Sequence, residues 1–300
     1  ASHARRTLGA RSSPHTVARR CSDKLYMKQR LRAAGVPVTA FVDLSHPAGL
    51  SGAQELGRPL VVKERSSSGS RGVRVVTDWE TPLAASSAPR RIAERFVVGD
   101  EMSVESFVHE GRIVWSSTTC YWRPKHVNVV PAGLAPERLA AVLDLNRRAI
   151  EALAIRWGMT HLELFLTADG PIVGEVALRA PGGYIMRCIE LAYGFDPWEA
   201  LCEVELGRMP VIPPAAGRPT AVIVLHPGAG TVKRVHGLEQ VRTHPAHVDT
   251  HLKVEAGSRV PPRLGVGVDV GRVLLQAGDQ GALEAAIRFV EQHLVIELES

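Results

Sequence analysis

Glu163 and Glu175 stand on either side of Ala168-Asp169-Gly170 in "THLELFLTADGPIVGEVALR", residues 160–179. The alternation of Leu162, Leu164 and Leu166 with polar residues predicts a strand, and a three-residue loop with Gly170 left-handed predicts a hairpin. In that register Glu163 lies directly opposite Glu175, His161 faces Ala177, and Arg179 shares the face of Glu175, while the leucines point into a core. Opposed carboxylates repel and need an offsetting charge. A hard divalent cation bound by both supplies it, and oxygen ligands suit magnesium. The same pattern also describes two solvent-facing glutamates on an amphipathic ribbon, with Arg179 as a counter-ion.

A second stretch with chemical capacity is "VVKERSSSGSRGVRVV", Val61 to Val76. Lys63 precedes the glycines and a strand-like run, not a helix, resumes at Gly72, which excludes a P-loop. A strand–loop–strand with a cation at its mouth can instead close over a triphosphate. Backbone N–H groups of Gly69, Ser70 and Gly72 would approach the oxygens while Lys63 neutralises charge. The plain alternative is a surface hairpin. In "AERFVVGDEMSVE", Glu94 to Val97 can form a hinge for an adenine edge and Glu101 can accept from ribose hydroxyls; an ordinary hairpin with surface acids has the same pattern. In "CYWRPKHVNVVP", Trp122, Arg123, Lys125 and His126 can meet phosphates or an acidic substrate, or form a loop around a half-buried Trp. His226, His236, His244, His247 and His251 show no ligand spacing.

The elements that must position these groups are legible. "CSDKLYMKQRLRAAGVP" predicts a helix with Ser22 as N-cap, Leu25, Lys28 and Leu31 at helical spacing, and Gly35 and Pro37 as its stop. "RPLVVKE" and "GVRVVTD" are β-branched runs around the Gly/Ser loop, and residues 91–122 predict three strands turning at Gly99-Asp100 and Glu110-Gly111. "PERLAAVLDLNRRAIEALAIRW" predicts a long helix with Leu139, Val142, Leu143, Ala149, Ile150, Leu153 and Trp157 on its apolar face. Helices are expected near 185–193 and 197–206. The proline-rich "MPVIPPAAGRP" (209–219) marks a linker before a strand-rich segment closed by the helix "GALEAAIRFVEQHL".

The chain has 300 residues, enough for two or three domains, and 45% hydrophobic with 22% charged residues is ordinary for a soluble globular protein. No apolar run reaches the roughly 18 residues needed to span a membrane. The net charge of +5 comes from five arginines within residues 1–20 (Arg5, Arg6, Arg11, Arg19, Arg20), which hold no acid, so the other 280 residues sum to zero. That distribution argues against nucleic-acid binding and for a basic tail. The tail is Arg-rich and acid-free like a transit peptide, but there is no initiator Met, and a truncated or processed start is expected. Cys21, Cys120, Cys188 and Cys202 are scattered, as reduced thiols in a cytoplasmic protein would be.

Taken in order, "SDK", "VVKE", the Gly/Ser flap, "ERFVVGDEMSVE", a long helix and "HLELFLTADGPIVGEVALRAPGG" resemble the ATP-grasp superfamily, and within it the carboxylate–amine ligases that join amino acids. The resemblance covers about residues 15–210; from "GTVKRVHGLEQVRTHP" onward the chain resembles, more loosely, the small C-terminal domain of L-amino-acid ligases. It implies an α/β (α+β) fold in which two subdomains, 21–92 and 93–212, grip ATP. A small domain at 213–300 follows, the tail 1–20 is the remnant of an absent N-terminal Rossmann-like domain, and flap and C-terminal domain exclude water.

The resemblance further implies that Lys24 and Lys63 hold ATP phosphates and that Ser66 to Gly72, including Ser67, Ser68 and Gly69, form the flap. Glu94, Arg95, Phe96 and Val97 become the adenine hinge, Glu101 the ribose acid, and Glu163 and Glu175 the Mg2+ carboxylates. Arg179 steadies the acyl phosphate and tetrahedral intermediate, acting with Lys63 as the catalytic pair, and Arg179, Gly182, Gly183 and His161 contact substrate. Small-molecule carboxylate and amine substrates, amino acids above all, are the expected partners, without nucleic acid or membrane; a homodimer is one assembly open to it. Where the family writes Glu-x-Asn-x-Arg, this chain has "EVALR", with Ala177 in place of Asn. That departure motivates one rival, an ATP-binding module without ligase activity; a carboxylase-type enzyme activating bicarbonate is the other.

Overall fold

The computed structural model describes residues 7, 14–69, 71–78, 90–122, 126–214, 216–263, 265 and 267–299. Arg5, Arg6, Arg11, Ser70, Arg123 and Lys125 lie outside the described residues. In chain order the elements are α1 (His15–Arg20), α2 (Lys24–Ala33), β1 (Phe41–Asp43), α3 (Gly49–Leu56), β2 (Leu60–Glu64), β3 (Arg74–Val76), β4 (Arg91–Arg95), β5 (Asp100–His109), β6 (Arg112–Trp122) and β7 (Val127–Val130). They continue with α4 (Pro136–Leu153), β8 (Gly158–Thr167), β9 (Gly170–Leu178), α5 (Ile185–Tyr193), α6 (Pro197–Glu205), β10 (Thr220–Leu225), β11 (Gly230–His236), α7 (Leu238–Arg242), β12 (His247–Leu252), β13 (Arg259–Val260), β14 (Gly271–Gln276), α8 (Gln280–His293) and β15 (Val295–Leu298). The mixed α/β content with large antiparallel sheets is the predicted fold class. Among the described residues no helix is long and apolar enough to cross a membrane.

The chain forms two compact units, one from residues 1–116, 134–180 and 199–211, the other from 117–133, 181–198 and 212–300. Each unit therefore draws on several segments, whereas the boundaries read from motifs are consecutive.

In the first unit, β1, β4, β2 and β3 form an antiparallel sheet in that order, over a core of Leu44, Ala53, Leu60, Val62, Val76 and Ala93. The flap's second strand starts at Arg74, two residues later than the β-branched pattern indicated. Helix α2 starts one residue later than expected too, because Asp23 and not Ser22 is its cap: the Asp23 carboxylate accepts the N–H groups of Leu25 and Tyr26. Gly35, at φ 70°, turns the chain out of the helix as anticipated. On α4 the buried face includes Val142, Ala149, Ile150 and Leu153, and also Leu145 and Asn146, which the periodicity did not select. Asn146 is tolerated there because its amide donates to Ser106 Oγ at 2.9 Å. Trp157 lies past the left-handed helix end at Ala154 and stacks edge-on against His109.

Strands β5, β8 and β9 form a second antiparallel run in this unit. Thr167 pairs with Gly170, so the β8–β9 turn holds only Ala168 and Asp169, one residue fewer than predicted. The missing residue reappears as a bulge at Gly174, between the pairs Leu164–Val173 and Glu163–Glu175. The two departures cancel, so Glu163 faces Glu175 and His161 faces Ala177 as the predicted register required. Leu162, Leu164 and Leu166 are buried beneath them.

In the second unit, β12, β14, β10 and β7 run in that order, and β11 lies between β13 and β15. Leu283, Ala286, Ile287 and Val290 of α8 pack onto Val127, Val129, Ile223, Val273 and Leu275. The helix expected over "GALEAAIRFVEQHL" thus buries one apolar face.

A side chain at Gly174 would place its Cβ 3.3 Å from the Glu163 carbonyl oxygen and from the Phe165 ring. Gly174→Val should therefore destabilise the protein by about 1–3 kcal/mol through overpacking. A urea unfolding midpoint indistinguishable from wild type would show that the bulge does not depend on glycine.

Candidate functional site

The first unit gathers its charged side chains around the N-terminus of α2. Asp23 caps the helix and also receives Arg65, whose Nε lies 3.0 Å from Oδ1, while the Lys24 N–H donates to the Arg65 carbonyl at 2.9 Å. The helix start and the root of the Gly/Ser loop are thus tied by charge-assisted bonds. Lys24 is 5% exposed; its Nζ donates to the Ser67 carbonyl at 2.6 Å and lies 3.2 Å from Glu175 Oε1. Gly69 and Gly72 hold left-handed φ of 67° and 70°, and Ser68 is exposed with its carbonyl accepting from Arg71.

Behind this edge is a buried cluster around Glu94, on β4 opposite Val61 of β2. Its Oε1 lies 2.8 Å from Lys63 Nζ and 3.2 Å from Lys28 Nζ, and its Oε2 accepts the Thr39 hydroxyl at 2.9 Å. Burial alone would neutralise Glu94, but Lys28 and Lys63 outweigh it and hold its pKa below the ordinary carboxylate value. Burial likewise works against the Lys63 charge, and Glu94 and Glu175 reverse it, raising that pKa. Both Glu94 oxygens therefore face the lysines and Thr39. Arg95, Phe96 and Val98, by contrast, are exposed and Val97 is half-buried, which leaves this stretch open on its outer side.

The opposed pair Glu163 and Glu175 is balanced by the protein's own cations. Lys24 sits on Glu175, and His161 Nε2 lies 3.6 Å from Glu163 Oε1. His161 is itself oriented from behind: Nδ1 lies 2.8 Å from Oε1 of the fully buried Glu105, which also accepts the Ser103 hydroxyl at 2.6 Å. Burial would deprotonate the imidazole, but Glu105 and Glu163 prevail and raise its pKa to about 9. Both ring nitrogens of His161 thus face carboxylates. Glu101, Ser103 and Glu105 of β5 alternate along the sheet face that carries Phe165, Glu163 and His161 of β8, so Glu101 shares that face.

No group of three or more His, Cys, Asp or Glu side chains among the described residues converges as a metal centre. Ala177 is buried and offers no side-chain oxygen. The donor set is two carboxylates, which fits magnesium in the way that ion is ordinarily held, by one or two carboxylates with substrate phosphates completing its shell.

Not every expected residue joins this cluster. Arg179 follows β9, is exposed, and donates to the Ala180 carbonyl at 2.8 Å without an ion pair to Glu163 or Glu175. Gly182 and Gly183 belong to the second unit, where the Asn128 amide donates to the Gly183 carbonyl at 2.7 Å. There too His126 is half-buried against Arg263, and burial followed by that guanidinium holds its pKa down. Lys28, Thr39, Glu105 and the Asp23–Arg65 pair were not singled out as site residues from sequence. For Lys28 the signal was present: a lysine on the stripe of Leu25 and Leu31, one turn from Lys24.

Comparison with known proteins places most of the chain in two domain families. The ATP-grasp domain family matches residues 21–183, more than half of the chain, and L-amino acid ligase C-terminal domain 2 matches residues 223–299. The chain is 28% identical over 257 residues to uncharacterized protein y4rH of Sinorhizobium fredii, covering 80% of this chain and 53% of that protein. It is 25% identical over 298 residues to the L-arginine-specific L-amino acid ligase of Bacillus subtilis, covering 92% and 72%. The chain thus spans about half the length of the first relative. The crystal structure of an L-amino acid ligase from Bacillus licheniformis superposes with a TM-score of 0.85 at 22% identity, over all of this chain and 78% of that one. With its motifs, fold and domain match in agreement, the chain belongs to the ATP-grasp family.

Proposed function

We propose that this chain is the nucleotide-binding and catalytic part of an ADP-forming carboxylate–amine ligase acting on amino acids. The observation that carries the proposal is the opposition of Glu163 and Glu175 with Lys24 at 3.2 Å from Glu175, at the root of the Gly/Ser loop. Lys24, Lys63 and the backbone of Ser67, Ser68, Gly69 and Gly72 hold the phosphates, the stretch Glu94 to Val97 lies along the base, and Glu101 accepts from the ribose. Similarity to L-amino acid ligases supports amino acids as the substrate class.

In the first step a substrate carboxylate oxygen attacks the γ-phosphorus, the bond to the bridging oxygen breaks, and ADP leaves with an acyl phosphate formed. In the second, an amine attacks the acyl carbon, the bond to the phosphate oxygen breaks, and an amide and inorganic phosphate result as the amine proton passes to solvent. Lys24, Lys63 and Arg179 stabilise charge developing on the transferring group. Magnesium held by Glu163 and Glu175 would supply further neutralisation of phosphate charge. Ala177, buried where the family pattern has Asn, favours a second reading: nucleotide binding without turnover.

A panel of amino acids assayed by phosphate release separates these. Ligase action requires ATP, a carboxylate and an amine together; tight ATP binding with no turnover across the panel would favour the second reading, and bicarbonate-dependent ADP formation without an amine would favour a carboxylase. Glu175→Ala should lower ADP formation by at least about a hundred-fold, and full activity in that variant would remove the central assignment. Lys63→Ala should raise the KM for ATP about ten-fold or more while kcat falls less, measured by the same assay at varied ATP.

A further inference from the structure

Lys28 is the largest fully buried side chain of the first unit's polar cluster, 0% exposed, on the α2 stripe that also buries Leu25 and Leu31. A lysine this deep persists only when its ammonium is paired and hydrogen-bonded. Its Nζ donates to Thr39 Oγ1 and lies 3.2 Å from Glu94 Oε1, and Thr39 in turn donates to Glu94 Oε2 at 2.9 Å. Lys28, Thr39 and Glu94 thus close a buried triangle. Lys63 shares Glu94 Oε1 at 2.8 Å but comes from the outer side, its side chain 12% exposed against 0% for Lys28.

This arrangement has a consequence for any anion that approaches Lys63. If Lys63 were the sole counter-ion of Glu94, turning toward a phosphate would strand a buried carboxylate, which is strongly unfavourable. With Lys28 and Thr39 in place, Glu94 keeps a cation and a hydroxyl donor after Lys63 leaves. We infer that Lys28 is a positioning residue for nucleotide binding, which, with Thr39, holds Glu94 so that Lys63 can exchange that carboxylate for a phosphate oxygen. The inference rests on the proposal that Lys63 meets a nucleotide phosphate. Burial lowers the Lys28 pKa to about 8 despite Glu94, as befits an ammonium kept charged only by its partners.

The test is calorimetric titration of the full chain with magnesium and the non-hydrolysable analogue AMP-PNP. Lys28→Met should weaken binding about ten- to hundred-fold, Lys28→Arg should recover most of it, and Thr39→Val should weaken it by a smaller factor. In turnover, Lys28→Met should raise the KM for ATP with kcat at saturation largely retained. The double variant Lys28→Met/Glu94→Gln should bind better than Lys28→Met alone, because Lys63 is then no longer needed by a buried charge. Wild-type affinity in both Lys28→Met and Thr39→Val overturns the inference and leaves the nucleotide site standing. Absence of AMP-PNP binding by the wild-type protein overturns both. Should Lys28→Met fail to fold, Thr39→Val decides alone, since it removes the bridging hydroxyl at nearly constant volume.

Discussion

Everything at the candidate site depends on keeping several like charges close together in a place poor in water. Lys24, Lys28 and Lys63 are each largely buried, and each is held by a carboxylate: Glu175 for the first, Glu94 for the other two. Such charges are costly to desolvate and are retained only with good partners. The fold meets that constraint by bringing α2, β2 and β4 together, so that a helix turn carrying two lysines faces a strand carrying a third. The small sheet, the capped helix start and the Asp23–Arg65 tie all serve this juxtaposition.

The same constraint governs the opposed glutamates. Glu163 and Glu175 repel across the ribbon, and the protein answers with Lys24 on one and His161 on the other. Glu105, which itself accepts the Ser103 hydroxyl, then holds the imidazole from the neighbouring strand. Each carboxylate of the pair thus has a cation beside it, so phosphate-bound magnesium would meet carboxylates already oriented. The bulge at Gly174 keeps the pair in register despite a tight two-residue turn.

Much of this was legible in the sequence because it depends on local periodicity. The period-two leucines of β8 fixed which face the acids occupy, and "SDK" and "VVKE" located Lys24 and Lys63. The register came out right although the loop length did not: a turn and a bulge trade one residue, and a glycine at position 174 reads the same in a plain strand as in a bulge. What stayed hidden is long-range. Nothing near Glu94 in the chain announces that both its oxygens turn inward to lysines from α2 and β2. Glu105 likewise looks like any strand acid until β8 brings His161 beside it. Lys28 could have been found, since a lysine inside an apolar stripe requires a buried partner, but only the fold shows which partner that is. Arg179 illustrates the converse, for its motif position was clear while its guanidinium is turned to the Ala180 carbonyl.

The central claim is that a substrate carboxylate attacks ATP at this site, and oxygen tracing tests it most directly. With amino acids labelled by oxygen-18 in both carboxylate oxygens, attack on the γ-phosphorus followed by amine capture of the acyl carbon must carry one labelled oxygen into each phosphate released. Mass spectrometry of the phosphate should then show one heavy oxygen per turnover, formed in step with ADP and amide. Phosphate released in step with ADP but carrying no label would mean that water, not a carboxylate, receives the phosphoryl group, and would contradict the account.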